Sequence, residues 1–415
     1  MISVQNRLPL LSGNKWPLFW LGALLLAGCG PKLNPVNTPV KKADTVATAT
    51  KITQVKPVAE PAYRPVIALI LPFNLDRINL SPAAGKEGIA KADLAGDYYE
   101  GFRLALDSLT ASGYNFKLQV FDSKDENAQA YNLALNTRVR TANIIVGPVY
   151  PEGLRSFSSA SGALRKLTIS PLSPASPADY KNPYLVTLMP PLQYHSRKAA
   201  AYVVDNLKAQ KVFILKSGYT EDNKYTVPFA RAIDSLGKKK VKVVTVTVVR
   251  GNLKALVPQL SNKEENVFVV PSTNQQFLQV TLHSLDTLNK HFPVTLIGHP
   301  SWEKVKFLNS GLLQRLHTVI TSTDRVNYHH ADVINFIKAY RKKYHSEPGE
   351  YAFKGFDEGM YTGQLAAAKQ TTPAAMQDFK GLHNSFHFEN IGGEGWVNTH
   401  VNLYKYINFE LKQVE

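Results

Sequence analysis

Val66-Ile67-Ala68-Leu69-Ile70-Leu71-Pro72-Phe73 is an unbroken apolar run of strand length. It does not alternate, which marks a strand buried on both faces, as in a parallel sheet covered by helices. The residues around it keep that rhythm. Over 97–109, Tyr98, Phe102, Leu104, Ala105 and Leu109 recur at helical spacing, and a strand at 116–121 ends at Asp122. A helix is expected over 126–140, and a strand at 144–146 stops at Gly147-Pro148. Another helix follows over 151–164, then a strand at 167–169 closed by Ser170-Pro171. Strand and helix alternating at this spacing predict parallel βαβ units.

The pattern breaks over 184–195 and restarts. Strands are expected at 211–215, 241–249, 267–270 and 294–298, and helices at 227–236, 253–260 and 274–288. After 319–323 come helical stretches at 332–344 and 357–368. The chain ends in strands at 386–389 and 401–411, separated by a turn at Gly392-Gly393-Glu394-Gly395. The fold class is therefore α/β: two Rossmann-like lobes with parallel sheets flanked by helices.

The composition agrees. The chain has 415 residues, 44% of them hydrophobic, enough for a folded body. A single cysteine excludes a disulfide framework and a cysteine zinc site. That residue, Cys29, follows Arg7, Lys15 and an apolar stretch over 16–27, with no acid before Asp44. The stretch is shorter than the roughly 20 residues of a membrane span and suits the h-region of a secretory signal. Leu26-Ala27-Gly28-Cys29 resembles the bacterial lipobox. The resemblance implies removal of 1–28, acylation of Cys29 and anchoring in the cell envelope facing the periplasm. Gly30, rather than aspartate, follows the cysteine and favours the outer membrane. Residues 29–65 are rich in proline and threonine and read as a tether. Fully extended, they would reach on the order of 100 Å. The formal charge is +16; loss of Arg7 and Lys15 with the signal leaves +14. Residues 196–260 hold 13 Lys/Arg against 4 Asp/Glu, either a solvated surface or a face for an anionic partner.

The order of fragments resembles the type I periplasmic binding-protein fold of the leucine/isoleucine/valine-binding class. Ile67–Pro72 looks like its first strand, and Tyr99-Glu100-Gly101-Phe102-Arg103-Leu104-Ala105 like the helix after it. Ile145-Val146-Gly147-Pro148, Ile169-Ser170-Pro171 and Gly355-Phe356-Asp357 resemble its later turns and its late helix start. The resemblance implies three crossings between lobes, placed near 187–195, 318–325 and 389–395. Lobe 1 is then 66–190 plus 321–392, and lobe 2 is 191–320 plus 393–415. A sibling family, the lipoprotein activators of penicillin-binding proteins, shares the signal and the strand ends. Gly147-Pro148-Val149-Tyr150 resembles that family more than the serine-rich turn of amino-acid binders.

In such folds ligands sit at the carboxyl ends of parallel strands. The candidate ligand residues are therefore Asn74, Tyr150, Ser170 and Ser173 in lobe 1. In lobe 2 they are Tyr219, Ser272, Thr273, His299, Ser301 and Trp302, and Asp357 completes the set. Ser170 and Ser173 also suit a simple turn, Trp302 a core, and Asp357 either an ammonium partner or a helix N-cap. No Gly-x-Ser-x-Gly, phosphate-loop or dinucleotide motif occurs, and His383 and His387 lie in a loop-to-strand segment. No catalytic residue, metal or cofactor is assigned, and nucleic acid is disfavoured by the export signal. The expectation is a lipid-anchored, non-enzymatic protein that holds an amino acid or similar small polar solute between its lobes and works with an ABC permease. The alternative is a scaffold that activates a cell-wall synthase.

Overall fold

In the computed structural model, residues 63–75 and 86–414 are described. The segments expected to be a signal and a tether, with Cys29 as the expected acylation site, lie outside them as far as residue 62. Along the chain run β1 (Val66–Leu71), α1 (Lys86–Ala111), β2 (Lys117–Asp122), α2 (Asn127–Leu135), α3 (Thr137–Arg140) and β3 (Ile144–Val146). Next are α4 (Pro151–Ser161), β4 (Leu167–Ser170), β5 (Leu185–Thr187), α5 (Leu192–Asp205), β6 (Lys211–Lys216) and α6 (Asn223–Leu236). Then follow β7 (Lys242–Thr247), β8 (Asn266–Val270), α7 (Gln275–Leu288), β9 (Val294–Gly298), α8 (Ser310–Arg315) and β10 (Val319–Ser322). Helices α9 (Ala331–Tyr344) and α10 (Glu350–Ala367) precede β11 (Asp378–Lys380), β12 (Ser385–Asn390), β13 (Trp396–Asn398), β14 (Asn402–Ile407) and β15 (Glu410–Gln413).

The strands form two sheets, one in the order β11-β12-β13-β5-β4-β3-β1-β2 and the other β15-β14-β10-β9-β8-β6-β7. β1 to β5 are parallel, as are β6 to β10; β12 and β14 run antiparallel to their neighbours. The unalternating run at 66–71 now has its cause. Ile67, Leu69 and Leu71 enter one core with Tyr98, Phe102 and Tyr361. Ala68 and Ile70 enter a second core on the opposite face with Ala130, Leu133 and Phe157. The other sheet repeats the arrangement. Phe213 and Phe268 pack toward Leu278 and Trp302, while Val212 and Val267 pack toward Ala199 and Phe229.

Helices α1 and α10 lie in direct backbone contact. A Cβ on Gly101 would stand 2.0 Å from the Ala352 carbonyl oxygen, and one on Gly355 would stand 2.1 Å from that of Tyr98. Only glycine permits this approach.

Four expectations need correction. α10 begins at Glu350, not at residue 357, so Gly355 and Asp357 are interior to it. α1 begins eleven residues before the expected position 97. The expected 126–140 helix is two helices, because Asn136 leaves the helical region and its side chain accepts from the Arg138 N–H. The glycine cluster at 392–395 is not a lobe crossing but the β12–β13 turn, closed by Ile391 N–H to Gly395 O (2.9 Å). β13 joins the first sheet, so the third connection lies at 399–401 and the boundary at 392 moves with it. The second connection begins after β10 ends at Ser322 in the other sheet.

Candidate functional site

β4, β3 and β1 are parallel neighbours, so the residues that follow them gather at one end of the first sheet. Asn74 is buried there at φ 53°. Its N–H donates to Asp122 Oδ1 (3.1 Å) and its side-chain amide donates to Pro72 O (3.2 Å). Tyr150 stands at the N-cap of α4 and supplies no side-chain cap, with Pro151 first in the helix. Its half-buried ring packs against the first core, with Lys91 Nζ 5.8 Å from the ring centre. Ser170 is fully buried and its hydroxyl has no hydrogen-bond partner. Ser173 is buried beside the Tyr180 hydroxyl. An uncapped helix amino terminus next to an orphan hydroxyl is suited to an anionic oxygen.

The second sheet offers less. Tyr219, Thr273 and Ser301 are exposed. Ser272 is buried; its carbonyl accepts from Trp302 Nε1 (2.9 Å) and its hydroxyl accepts from the Asn274 N–H (3.2 Å). Trp302 is 1% exposed within the core and shows a ligand no face. His299 Nδ1 accepts from the Ser301 N–H (3.1 Å), and burial holds its pKa down at about 4.

Asp357 neither starts its helix nor waits for an ammonium. It is 1% exposed and accepts from the N–H groups of Leu382 (2.7 Å), His383 (2.9 Å) and Asn384 (3.1 Å). It thereby fixes the loop before β12. Burial nevertheless pushes its carboxyl up to about 6, against the lowering effect of the three amides. Asp357 also lines a groove of about 1230 Å³ between α9, α10, the β11–β12 hairpin and β14. Asn384 Oδ1 in its wall has no partner. The other expected ligand residues do not line this groove.

Sequence reading missed an ion-pair lattice where the second connection passes between the sheets. Lys304, after β9, reaches Glu350 in the first turn of α10 (2.8 Å). Lys354 bridges Glu350 (2.9 Å) and Asp324 (3.0 Å). Arg325 pairs with Glu303 (2.7 Å), whose other oxygen accepts from Ser322 Oγ (2.5 Å). Burial raises the Asp324 carboxyl, but Lys354, His383 and Lys304 together outweigh that and hold it below the usual range. Burial lowers Lys354, and Asp324 and Glu350 reverse the sign. The members are scattered from 303 to 354 and none stands in a recognisable motif, so no sequence signal marks them. Among the described residues no group of three or more His, Cys, Asp or Glu is placed to hold a metal ion, and no helix is long and apolar enough to cross a membrane.

No protein-family model matches the chain, and no curated protein matches it. Solved structures do. One is an ABC transporter substrate-binding protein from Desulfitobacterium hafniense in complex with Leu, at 16% identity and a TM-score of 0.54, over 85% of this chain and 100% of that one. Another is a putative branched-chain amino acid ABC transporter from Rhodospirillum rubrum, at 14% identity and a TM-score of 0.60, over the same shares. An ABC transporter substrate-binding protein from Sphaerobacter thermophilus aligns at 14% identity and a TM-score of 0.50, over 83% of this chain and 93% of that one. At such identities the similarity shows the fold, and that fold is the two-lobed type I periplasmic binding-protein architecture.

Proposed function

We propose that the chain is an extracytoplasmic, non-enzymatic binding protein that holds a small polar solute at the strand ends facing Tyr150. The observation that carries this reading is the orphan Ser170 hydroxyl beside the uncapped amino terminus of α4. Together they offer one hydroxyl and the first N–H groups of α4 to a carboxylate, so an amino acid or a relative is the favoured class. The fold it shares with a leucine-complexed substrate-binding protein supports the same class. An ABC permease is the partner this reading implies.

Thermal-shift screening against amino acids, short peptides and muropeptides tests it. The cognate pool should stabilise by about 2.7 kcal/mol at a hundredfold excess over Kd, and Tyr150→Ala should abolish the shift. No shift with any pool, together with capture of a transglycosylase or transpeptidase, would establish the second reading, an activator scaffold for a cell-wall synthase. That reading is favoured by how many expected ligand groups the fold already uses: Asn74, Ser272, His299, Trp302 and Asp357 all have internal partners.

We further propose lipid anchoring in the outer membrane through acylated Cys29, on the strength of Leu26-Ala27-Gly28-Cys29 and Gly30. Cys29→Ser should lose both palmitate label and membrane retention. Retention with label intact would refute the anchor.

A further inference from the structure

The amino ends of the parallel strands of the second sheet, together with the β14–β15 turn, form one pole, opposite the carboxyl ends of those same strands. Seven strands at about 4.8 Å spacing make this pole roughly 30 Å wide. Its connecting segments expose Lys208, Lys238, Lys239, Lys240, Lys242 and Lys263. Among the described residues no ion pair reaches any of these six. Acids share the pole: Asp205, Glu264, Glu265 and Glu410 are exposed there, as is Asp234 in the last turn of α6, whose carbonyl accepts from the Lys239 N–H (2.9 Å); Asp286 is held by Arg315 (2.7 Å) and Glu265 accepts from Thr295 Oγ1 (2.8 Å).

The β14–β15 hairpin adds two independent features at the far edge of the pole. Lys405 and Lys412 stand directly opposite each other in the antiparallel register, an arrangement that repels unless an anion lies near. Ile407 and Glu410 pair across the two-residue turn Asn408-Phe409, whose residues sit at φ 53° and 65°. Glycine is strongly favoured in such a turn. Here a phenylalanine occupies it with 65% of its surface exposed, and neighbouring Ile407 is also exposed. The fold gains little burial from that ring.

We infer that this pole docks on an anionic lipid surface, with the lysines facing headgroup phosphates and Phe409 entering the interface. Unpaired lysines sharing one face with a projecting apolar side chain are the chemistry of interfacial binding. The ring distinguishes a bilayer from a soluble polyanion, which would use the charges and leave Phe409 in water. The inference stands apart from the solute reading and does not depend on it.

Amide hydrogen exchange of the full-length chain tests it, on vesicles of phosphatidylcholine alone or with about one-third phosphatidylglycerol. Residues 1–62 hold seven Lys/Arg against two Asp/Glu and themselves favour the anionic vesicles, so the readout is protection within segments 238–242 and 405–411, not association of the chain. Segments 238–242 and 405–411 should exchange several-fold more slowly on the anionic vesicles only, and about 0.5 M salt should erase the difference. Charge reversal of Lys238, Lys239 and Lys240 to Glu should weaken the protection by roughly fivefold or more per lysine. Phe409→Ser should lower it at unchanged salt dependence. Each substituted side chain is exposed, and an unchanged melting temperature verifies the fold. Equal exchange on both vesicle types overturns the inference. So does equal protection by soluble polyphosphate without lipid, with Phe409→Ser as effective as the unsubstituted chain.

Discussion

Gly101→Ala lowers the unfolding free energy by more than about 3 kcal/mol, while Gly96→Ala, five residues earlier on α1, raises it by about 0.5–1 kcal/mol. Chemical denaturation of the two variants beside the parent measures the pair. Both replace a helical glycine by the best helix former, so propensity alone predicts two stabilised proteins. Their surroundings differ. Nothing lies within 4 Å of a Cβ at Gly96, whereas at Gly101 the Ala352 backbone stands at 2.0 Å. Backbone cannot move aside as a side-chain tip can, so α1 and α10 must separate along their length. Tyr98, Phe102 and Tyr361 of the first core ride on that contact. The Tyr98 hydroxyl also donates to the buried Glu358 on α10 (2.5 Å). The same logic applies to Gly355→Ala. A Gly101→Ala protein within about 0.5 kcal/mol of the parent would show that the helices do not pack this closely.

Acidification from pH 6.5 to 4 destabilises the protein, and two single substitutions change the slope with opposite signs. Burial depresses His195 and His383 to about 4 each, below the 6.5 of an unfolded histidine. The unfolded chain therefore binds more protons in this window. Stability from these residues is complete above pH 6.5 and is lost as pH falls toward 4. Each group is worth at most about 3 kcal/mol. Asp357 runs the other way. Its folded value of about 6 lies above the unfolded 3.8, so the native state takes up the proton first and gains as pH falls from 6 to 4. His299, also held at about 4 by burial, adds to the histidine side, and Glu358, raised by burial, adds to the carboxyl side. His383→Gln should flatten the loss between pH 6.5 and 4, and Asp357→Asn should steepen it. Melting temperatures across that range read both. Parallel profiles for the three proteins would refute the assignment.

The two effects meet at one place, and the sequence disclosed it only in part. The run 66–71 was legible because burial on both faces of a parallel strand demands continuous apolarity, which no other local structure of that length requires. The start of α10 was hidden by Gly355. Glycine is a poor helix former, and only a partner helix 254 positions earlier in the chain explains its presence. Asp357 was recognisable as important, but its role depends on the 382–384 loop folding back onto α10. Trp302 was ambiguous for a similar reason, since an indole after a strand end suits either a ligand or a core until its N–H partner, the Ser272 carbonyl, is known. The glycines at 392–395 misled because a tight turn within one sheet and a hinge between two ask for the same residue.

The place of β13 bears on how the chain can be made. Val186 in β5 pairs with Trp396 in β13, and the Asn398 side chain donates to the Leu188 carbonyl (2.8 Å) across 210 residues. During synthesis the five leading strands emerge long before the strand that covers β5. Until then a fully buried strand, Leu185–Thr187, presents an open hydrogen-bonding edge to any other chain. The second parallel sheet completes β6 to β10 within that interval. The first half of the molecule to leave the ribosome is thus among the last to close, which makes β5 the point where a holding chaperone would act on the nascent protein.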